Sequence, residues 1–139
     1  MNALFIFHLL TTLMMTGLIW FVQVVHYPLF HKVGTKAFAD YEAWHTRRTG
    51  WVVAPLMLAE LGTALGLLWQ QASQNWVWAN AILLGLIWLS TAVIQVPLHA
   101  RLAAGYEAPI ARKLVRTNWL RTLAWSLRAL LLGGILLQR

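Results

Sequence analysis

Four charge-poor apolar runs, at about residues 3–27, 51–69, 76–99 and 119–137, set the strongest limit on what this chain can become. Each is close to the roughly 20 residues that a helix needs to cross about 30 Å of hydrocarbon. Inside hydrocarbon every backbone N–H and C=O has to be satisfied within the protein, and runs of this length meet that demand as helices. The expectation is an all-α integral membrane four-helix bundle, forming a single four-span domain over residues 1–139. The first run lacks a basic leading segment and a small-residue cleavage site, and it is too long for a signal-peptide core, so it reads as a permanent span.

Composition closes off other classes. Of the 139 residues, 60% are hydrophobic and 11% charged, against roughly 45–50% and about 25% in soluble domains. A soluble domain of this length has too high a surface-to-volume ratio to hide so much apolar surface. The net charge of +7 then reads as basic flanks of membrane spans, with no nucleic acid expected as a partner. The expected partners are the lipid bilayer and a lipophilic small molecule. With no cysteine, disulfides and thiolate metal sites are excluded.

Lys32, Lys36, Arg47, Arg48, Arg101, Arg112, Lys113 and Arg116 lie in two connections, 29–50 and 100–118, whereas 70–75 is short and uncharged. The positive-inside rule places both basic connections in the cytoplasm and both termini outside, in the inner (plasma) membrane. Tryptophans 51, 69, 76, 78 and 119 fall at span ends, where an amphipathic ring prefers to sit. Phe38, Tyr41 and Trp44 are spaced for a short interfacial helix.

The two halves resemble each other. Gly17-Leu18-Ile19-Trp20 recurs as Gly85-Leu86-Ile87-Trp88, and Arg48-Thr49-Gly50-Trp51 as Arg116-Thr117-Asn118-Trp119, both at an offset of 68 residues. Pro28-Leu29 recurs as Pro97-Leu98 with a one-residue slip. The pattern predicts two repeated helical hairpins, about 1–70 and 71–139, related by an axis along the membrane normal. Gly62 and Gly66 form a GxxxG that offers close helix approach or self-association into a homo-oligomer.

Glu60 and Arg128 are charged residues well inside the spans and share the same offset of 68. Each follows its Arg-Thr-x-Trp motif by twelve residues, roughly 18 Å along a helix and so near mid-bilayer. Leaving either facing lipid costs a few kcal/mol, so they are expected to form an intramembrane ion pair.

A second polar set gathers at the basic end. Gln23, His26 and Tyr27 close the first span, His45 and Arg48 open the second, and Thr91, Gln95 and His99 share a stripe on the third. Asn118, Arg121, Trp125 and Arg128 follow i, i+3, i+7, i+10 on the fourth, one inward face. Together they predict a pocket at the cytoplasmic face with Glu60 and Arg128 as its floor. His26, His45, His99, Asn118 and Arg121 are the candidate catalytic residues, and Gln23, Tyr27, Arg48, Gln95 and Trp125 the candidate substrate contacts. A histidine near neutrality suits a general base, and arginines with a tryptophan suit a flat phenolic or anionic lipophilic substrate. His26, His45 and His99 come from three spans and are the candidate metal ligands or haem ligands, so no cofactor, haem and a metal ion all stay open. His8 and His31 fall outside this set. Pro28 and Pro97 are expected to end or bend their helices, and Pro55 to kink the second span.

The segment Gln95-Val96-Pro97-Leu98-His99-Ala100-Arg101-Leu102, followed by Asn118-Trp119-Leu120-Arg121-Thr122, resembles the anthrone-oxygenase-like family of small four-span membrane proteins, as does 16–29. That family typically shows Asn-Val-Pro-Leu-Asn closing span three and Asn-x-x-Arg-Thr opening span four; here Gln95 and His99 replace the two asparagines. The plan is also similar to the four-helix membrane protoporphyrinogen oxidases, with His8 and Asn118 in comparable places but no glutamate after Asn118. The resemblances imply an oxygen- or electron-handling enzyme acting on a polycyclic, lipid-soluble compound. Apart from them, the residues leave a small-molecule or proton-coupled transporter and a non-catalytic membrane subunit as alternatives.

Overall fold

The computed structural model describes residues 2–138, which form four long helices, Ala3–Lys32, Phe38–Gln71, Asn75–Ala103 and Ala108–Leu137. Met1 and the terminal Arg139 lie outside the described residues. Each helix is long and apolar enough to cross a membrane, and the chain is a multi-pass membrane protein. Its outer surface is an apolar belt in which Phe7, Leu13, Phe21, Leu65, Leu89 and Leu130 are all exposed, a surface that only lipid accommodates on this scale. Trp51 and Trp69, at the two ends of the most apolar part of the second helix, stand 74% and 91% exposed, as amphipathic rings at membrane interfaces prefer.

Successive helices pack side by side and the fourth returns against the first, an up-down-up-down bundle in which first and third, and second and fourth, sit across the diagonals. Asn2 caps the first helix by accepting from Leu4 N–H at 3.0 Å. Two apolar clusters fill the interior. One, around Met15, Ile19, Met57, Ile87 and Leu114, lies toward the basic end, and the other, Phe5, Leu9, Leu67, Val77 and Leu132, toward the short connection. A polar layer separates them.

The basic connections are shorter than their composition implies. Phe38, Tyr41 and Trp44 belong to the first turns of the second helix, and 108–118 to the fourth. No separate interfacial helix intervenes among the described residues, because the charged positions continue the helical period and the two helices run past the hydrocarbon as single rods. The remaining links, 33–37 and 104–107, turn at Gly34 and Gly105, whose φ values of 86° and 151° suit residues without a Cβ.

The first and third helices are not uniform. Val22–His26 and Thr91–Gln95 form π-turns just ahead of Pro28 and Pro97. Proline has no N–H and its ring crowds the carbonyl four residues back; those carbonyls belong to Val24 and Val93, inside the widened turns, which relieve the conflict. The chain then continues as a 3-10 segment Tyr27–Lys32 in the first helix and as regular α-helix in the third. The second helix runs through Pro55 without interruption.

Within the described residues only one of the GxxxG glycines faces a neighbouring helix. A Cβ on Gly66 would sit 3.0 Å from Leu4 Cδ2, so this glycine lets the first helix approach the second, while a Cβ on Gly62 meets no described atom within 4 Å. Gly66→Val is expected to lower stability by about 1–3 kcal/mol through overpacking, with Gly62→Val nearly neutral. Unfolding midpoints of the two variants in mixed micelles check this contrast.

Candidate functional site

The separating layer contains one polar residue or more from every helix. Arg128 donates from Nη1 to Glu60 Oε1 at 2.6 Å, from Nε to Asn80 Oδ1 at 3.0 Å and from Nη2 to Thr12 Oγ1 at 3.3 Å. Trp125 Nε1 donates to Glu60 Oε2 at 3.0 Å. Asn80 Nδ2 and Arg128 Nη2 approach His8 Nε2 at 3.0 and 3.3 Å. Both are donors, so His8 Nε2 accepts and its Nδ1 carries the proton, donated to Thr63 Oγ1 at 2.6 Å. The Thr63 hydroxyl in turn donates to Ala59 C=O. Glu60, Arg128, His8 and Thr12 are fully buried, and the pair is fully hydrogen-bonded, the condition under which a buried ion pair is tolerated.

This layer is not the floor of a pocket. Trp125, itself fully buried, closes it off toward the basic end. Above Trp125, Gln23 Oε1 accepts from Asn118 Nδ2 at 2.9 Å and from Thr122 Oγ1 at 3.4 Å, and Gln23 Nε2 donates to Val115 C=O at 3.1 Å. Gln23 and Asn118 thus join the first helix to the fourth.

A cavity of about 380 Å³ lies beyond them at the basic end. Leu18, Val22, Val53 and Val96 form its apolar wall, and Tyr27, His45, Thr91, Gln95, His99 and Arg121 its polar side. The exposed or half-exposed lining residues Thr46, Gly50, Val96 and Ala100 belong to the second and third helices, so the cavity opens between those two. Arg121 reaches Thr91 Oγ1 from Nη1 at 3.4 Å and stacks on Trp125 at 5.6 Å.

At the polar side, His99 Nδ1 hydrogen-bonds Glu42 Oε1, and His99 Nε2 meets the Tyr27 hydroxyl at 2.9 Å. His26 Nε2 meets His45 Nδ1 at 2.7 Å, with Thr49 Oγ1 at 3.1 Å from the same nitrogen. Phe30 packs edge-on against His26 and His45, each at 5.4 Å, and Tyr41 stacks parallel to His45. Beside this cluster, Glu42 Oε2, Gln95 Oε1 and Arg121 Nε are buried without a hydrogen-bond partner among the described residues. Buried polar atoms are normally paired; Gln95 and Arg121 line the cavity, so their free atoms are the ones a ligand held there would meet.

Of the sequence-derived residues, the structure gathers Tyr27, His45, Gln95, His99 and Arg121 around the cavity, with His26 directly behind His45. Arg48 does not join them. It is exposed and lies over the Trp44 ring at 5.4 Å, because its position on the second helix turns it outward. Gln23, Asn118 and Trp125 are buried contacts between helices and do not line the cavity. His31 is exposed. The ring centroids of His26 and His45 lie 4.4 Å apart and those of His45 and His99 5.5 Å, so neither of these two pairs, as arranged, has room for a porphyrin between its rings.

Sequence reasoning missed Glu42, which is wholly buried and lies on the same helix face as His45 through their i, i+3 spacing. It also set aside His8 and overlooked Asn80 and Thr12. Those two stand 68 residues apart, as Glu60 and Arg128 do, and that shared offset was the available signal. No family model, curated protein or solved structure matches the chain, so its chemistry is argued from these side chains.

Glu60→Gln is expected to destabilise the protein by roughly 3–5 kcal/mol by leaving Arg128 buried without its counter-charge. The double change Glu60→Leu with Arg128→Met should recover more than half of that loss. Equilibrium unfolding in mixed micelles reads both.

Proposed function

We propose that this chain is an oxidoreductase- or oxygenase-like membrane enzyme acting on a lipophilic phenolic or polycyclic small molecule in the cavity between the second and third helices. The observation that carries this reading is the hydrogen-bonded line Glu42–His99–Tyr27, which ends in an apolar cavity beside an under-bonded arginine. A carboxylate accepts only, so with Glu42 ionised His99 Nδ1 carries its proton, leaving Nε2 to accept from the Tyr27 hydroxyl. A substrate hydroxyl meeting Tyr27 can pass its proton to the phenol oxygen while the tyrosine proton moves to His99. Glu42 then faces an imidazolium, and Arg121 faces the substrate oxyanion. An electron-rich phenolate is the form such compounds take before giving electrons to dioxygen or a quinone. The family resemblance at 95–102 and 118–122 points the same way.

The opening between two membrane helices suits a molecule arriving from lipid, and the apolar wall suits its ring system. Trp125 between the cavity and the Glu60–Arg128 layer favours a closed site over a transmembrane pathway. On the positive-inside rule the cavity end is cytoplasmic and the membrane is the inner, plasma membrane. The offset of 68 that relates Thr12 to Asn80 and Glu60 to Arg128 supports descent from a duplicated hairpin, 1–70 and 71–139.

Purified protein in lipid nanodiscs, given a panel of lipophilic hydroquinones and anthrone-type compounds with tryptophan quenching as readout, tests the site. Arg121→Gln is expected to weaken binding about tenfold or more, the worth of one charge-assisted hydrogen bond. Glu42→Gln should leave binding largely intact and slow turnover by about 10²-fold or more. Unchanged binding in Ala100→Trp, which fills the cavity, sinks the proposal. For sidedness, the cysteine-free chain takes single cysteines directly. An impermeant maleimide applied to intact cells should label Ser73→Cys, and should label Lys36→Cys only after permeabilisation.

A further inference from the structure

The polar side of the cavity has the donor set and the surrounding bonds of a metal site. Glu42, His45 and His99 each offer one ligand atom, and the three atoms lie within 4.8 Å of one another. Two metal bonds of about 2.0–2.1 Å at a tetrahedral angle hold their donor atoms about 3.3 Å apart, so the hydrogen-bonded Glu42 and His99 atoms would part slightly and the His45 nitrogen would close in to form a coordination sphere. The two other ring nitrogens are already engaged. His45 Nδ1 is held by His26 Nε2 at 2.7 Å, and His99 Nε2 by the Tyr27 hydroxyl at 2.9 Å. Metal-bound histidines nearly always have their second nitrogen fixed in this way, which orients the ring. His45 Nε2 and His99 Nδ1 are therefore the nitrogens left to face an ion.

An independent observation points to the same place. Glu42 is fully buried, and its Oε2 has no hydrogen-bond partner among the described residues. A carboxylate oxygen left bare in the interior is costly unless something charged meets it. The proton between Glu42 and His99 occupies one position in the ion-free form, and a cation can take its place while also reaching Oε2.

We propose that Glu42, His45 and His99 bind one divalent first-row transition ion, with at least one coordination position open to the cavity. Two imidazoles and a carboxylate suit zinc, iron or manganese rather than calcium or magnesium, and two histidines with one carboxylate and open positions are the ligand set of non-haem iron oxygenases. His26 is a positioning residue in this arrangement, acting through His45, and Tyr27 acts in the same way through His99. With His99 Nδ1 on the ion, Nε2 carries the imidazole proton and donates to Tyr27, so the Glu42–His99–Tyr27 proton relay belongs to the ion-free form and the ion would take over activation of the substrate oxygen. The use of the ion rests on the cavity reading above, although its binding does not. When bound, the ion would supply Lewis-acid or redox chemistry at the oxygen of a substrate whose rings lie against Val53 and Val22.

Tag-free full-length protein in detergent, stripped with a chelator, is titrated with Co²⁺ followed by visible absorption, and dialysed against Zn²⁺ for metal analysis. One ion per chain is expected. Glu42→Gln and His99→Gln should each lower affinity at least a hundredfold, and His26→Gln and Tyr27→Phe by about 10–100-fold. The exposed His31→Gln should match the unmodified protein. Lack of saturable binding, or binding retained in Glu42→Gln and His99→Gln, overturns the site. If Glu42→Gln fails to fold, Glu42→Asp keeps the carboxylate and shifts it by one methylene, and a Co²⁺ spectrum unchanged by that variant also overturns it. Hydroquinone uptake is measured on the same chelated samples. Ligand uptake without ion binding removes the metal and leaves the pocket reading standing, whereas ion binding without ligand uptake does the reverse.

Discussion

The contact between Arg128 and Glu60 governs how this bundle is assembled. Either charge alone in the middle of an apolar bundle is expensive, and the two sit on helices that face each other across a diagonal. They meet only when all four helices are present at the right depth. Asn80 and Thr12 complete the arginine, and Trp125 completes the glutamate. A one-turn slip of any helix would break several of these bonds at once, whereas apolar contacts on either side would tolerate it. The layer therefore contributes less as net stability than as a register mark, a use of buried polar groups that is well attested in coiled coils.

With the depth of the helices fixed, two prolines shape the basic end. Pro28 and Pro97 each force a widened turn just before them, on the first and third helices. The side chains that follow, Tyr27 and His99, are thereby carried toward the second helix, which arrives with Glu42 and His45 one turn apart. The result is a dense aromatic and histidine cluster at the rim of an otherwise apolar cavity. Its bonds are arranged unevenly: the outer nitrogens of the histidines are tied down, whereas Gln95 Oε1 and Arg121 Nε on the cavity lining, and Glu42 Oε2 behind His99, have no partner among the described residues. A folded protein gains nothing from such atoms unless a substrate or an ion completes them, and that asymmetry is what makes this end, rather than the self-satisfied middle layer, the place to look for function.

Much of this architecture is written in the sequence because it follows from periods and lengths. Four apolar runs of membrane length require four helices, and charges placed twelve residues past the two Arg-Thr-x-Trp segments fall in the middle of the bundle. The inward face of the fourth helix, with Asn118, Arg121, Trp125 and Arg128, was legible for the same reason. Arg48 shows the limit of that logic. It stands three residues from His45 in the chain, yet a helix places it on the outside against Trp44. Glu42 shows the opposite failure: a glutamate in a basic, polar stretch looks solvated, and only the packing of the first and third helices around it buries it against His99. His8 was set apart from the other histidines because it lies near the far end of its span, and it proved to be the tie between the second helix and the arginine.

The sequence by itself determined the number of helices, their membrane character, the level along the bundle at which the central charges meet and the end at which the polar side chains collect. These depend on local quantities, namely the length of an apolar run, the helical period and the cost of a charge in hydrocarbon. The tertiary structure decided which polar groups touch. The pairing of Glu42 with His99, the sealing of the ion pair by Trp125, the outward turn of Arg48 and the unpartnered atoms at the cavity all depend on how four helices are rotated about their axes and where their turns widen, and rotation is set by contacts between residues far apart in the chain.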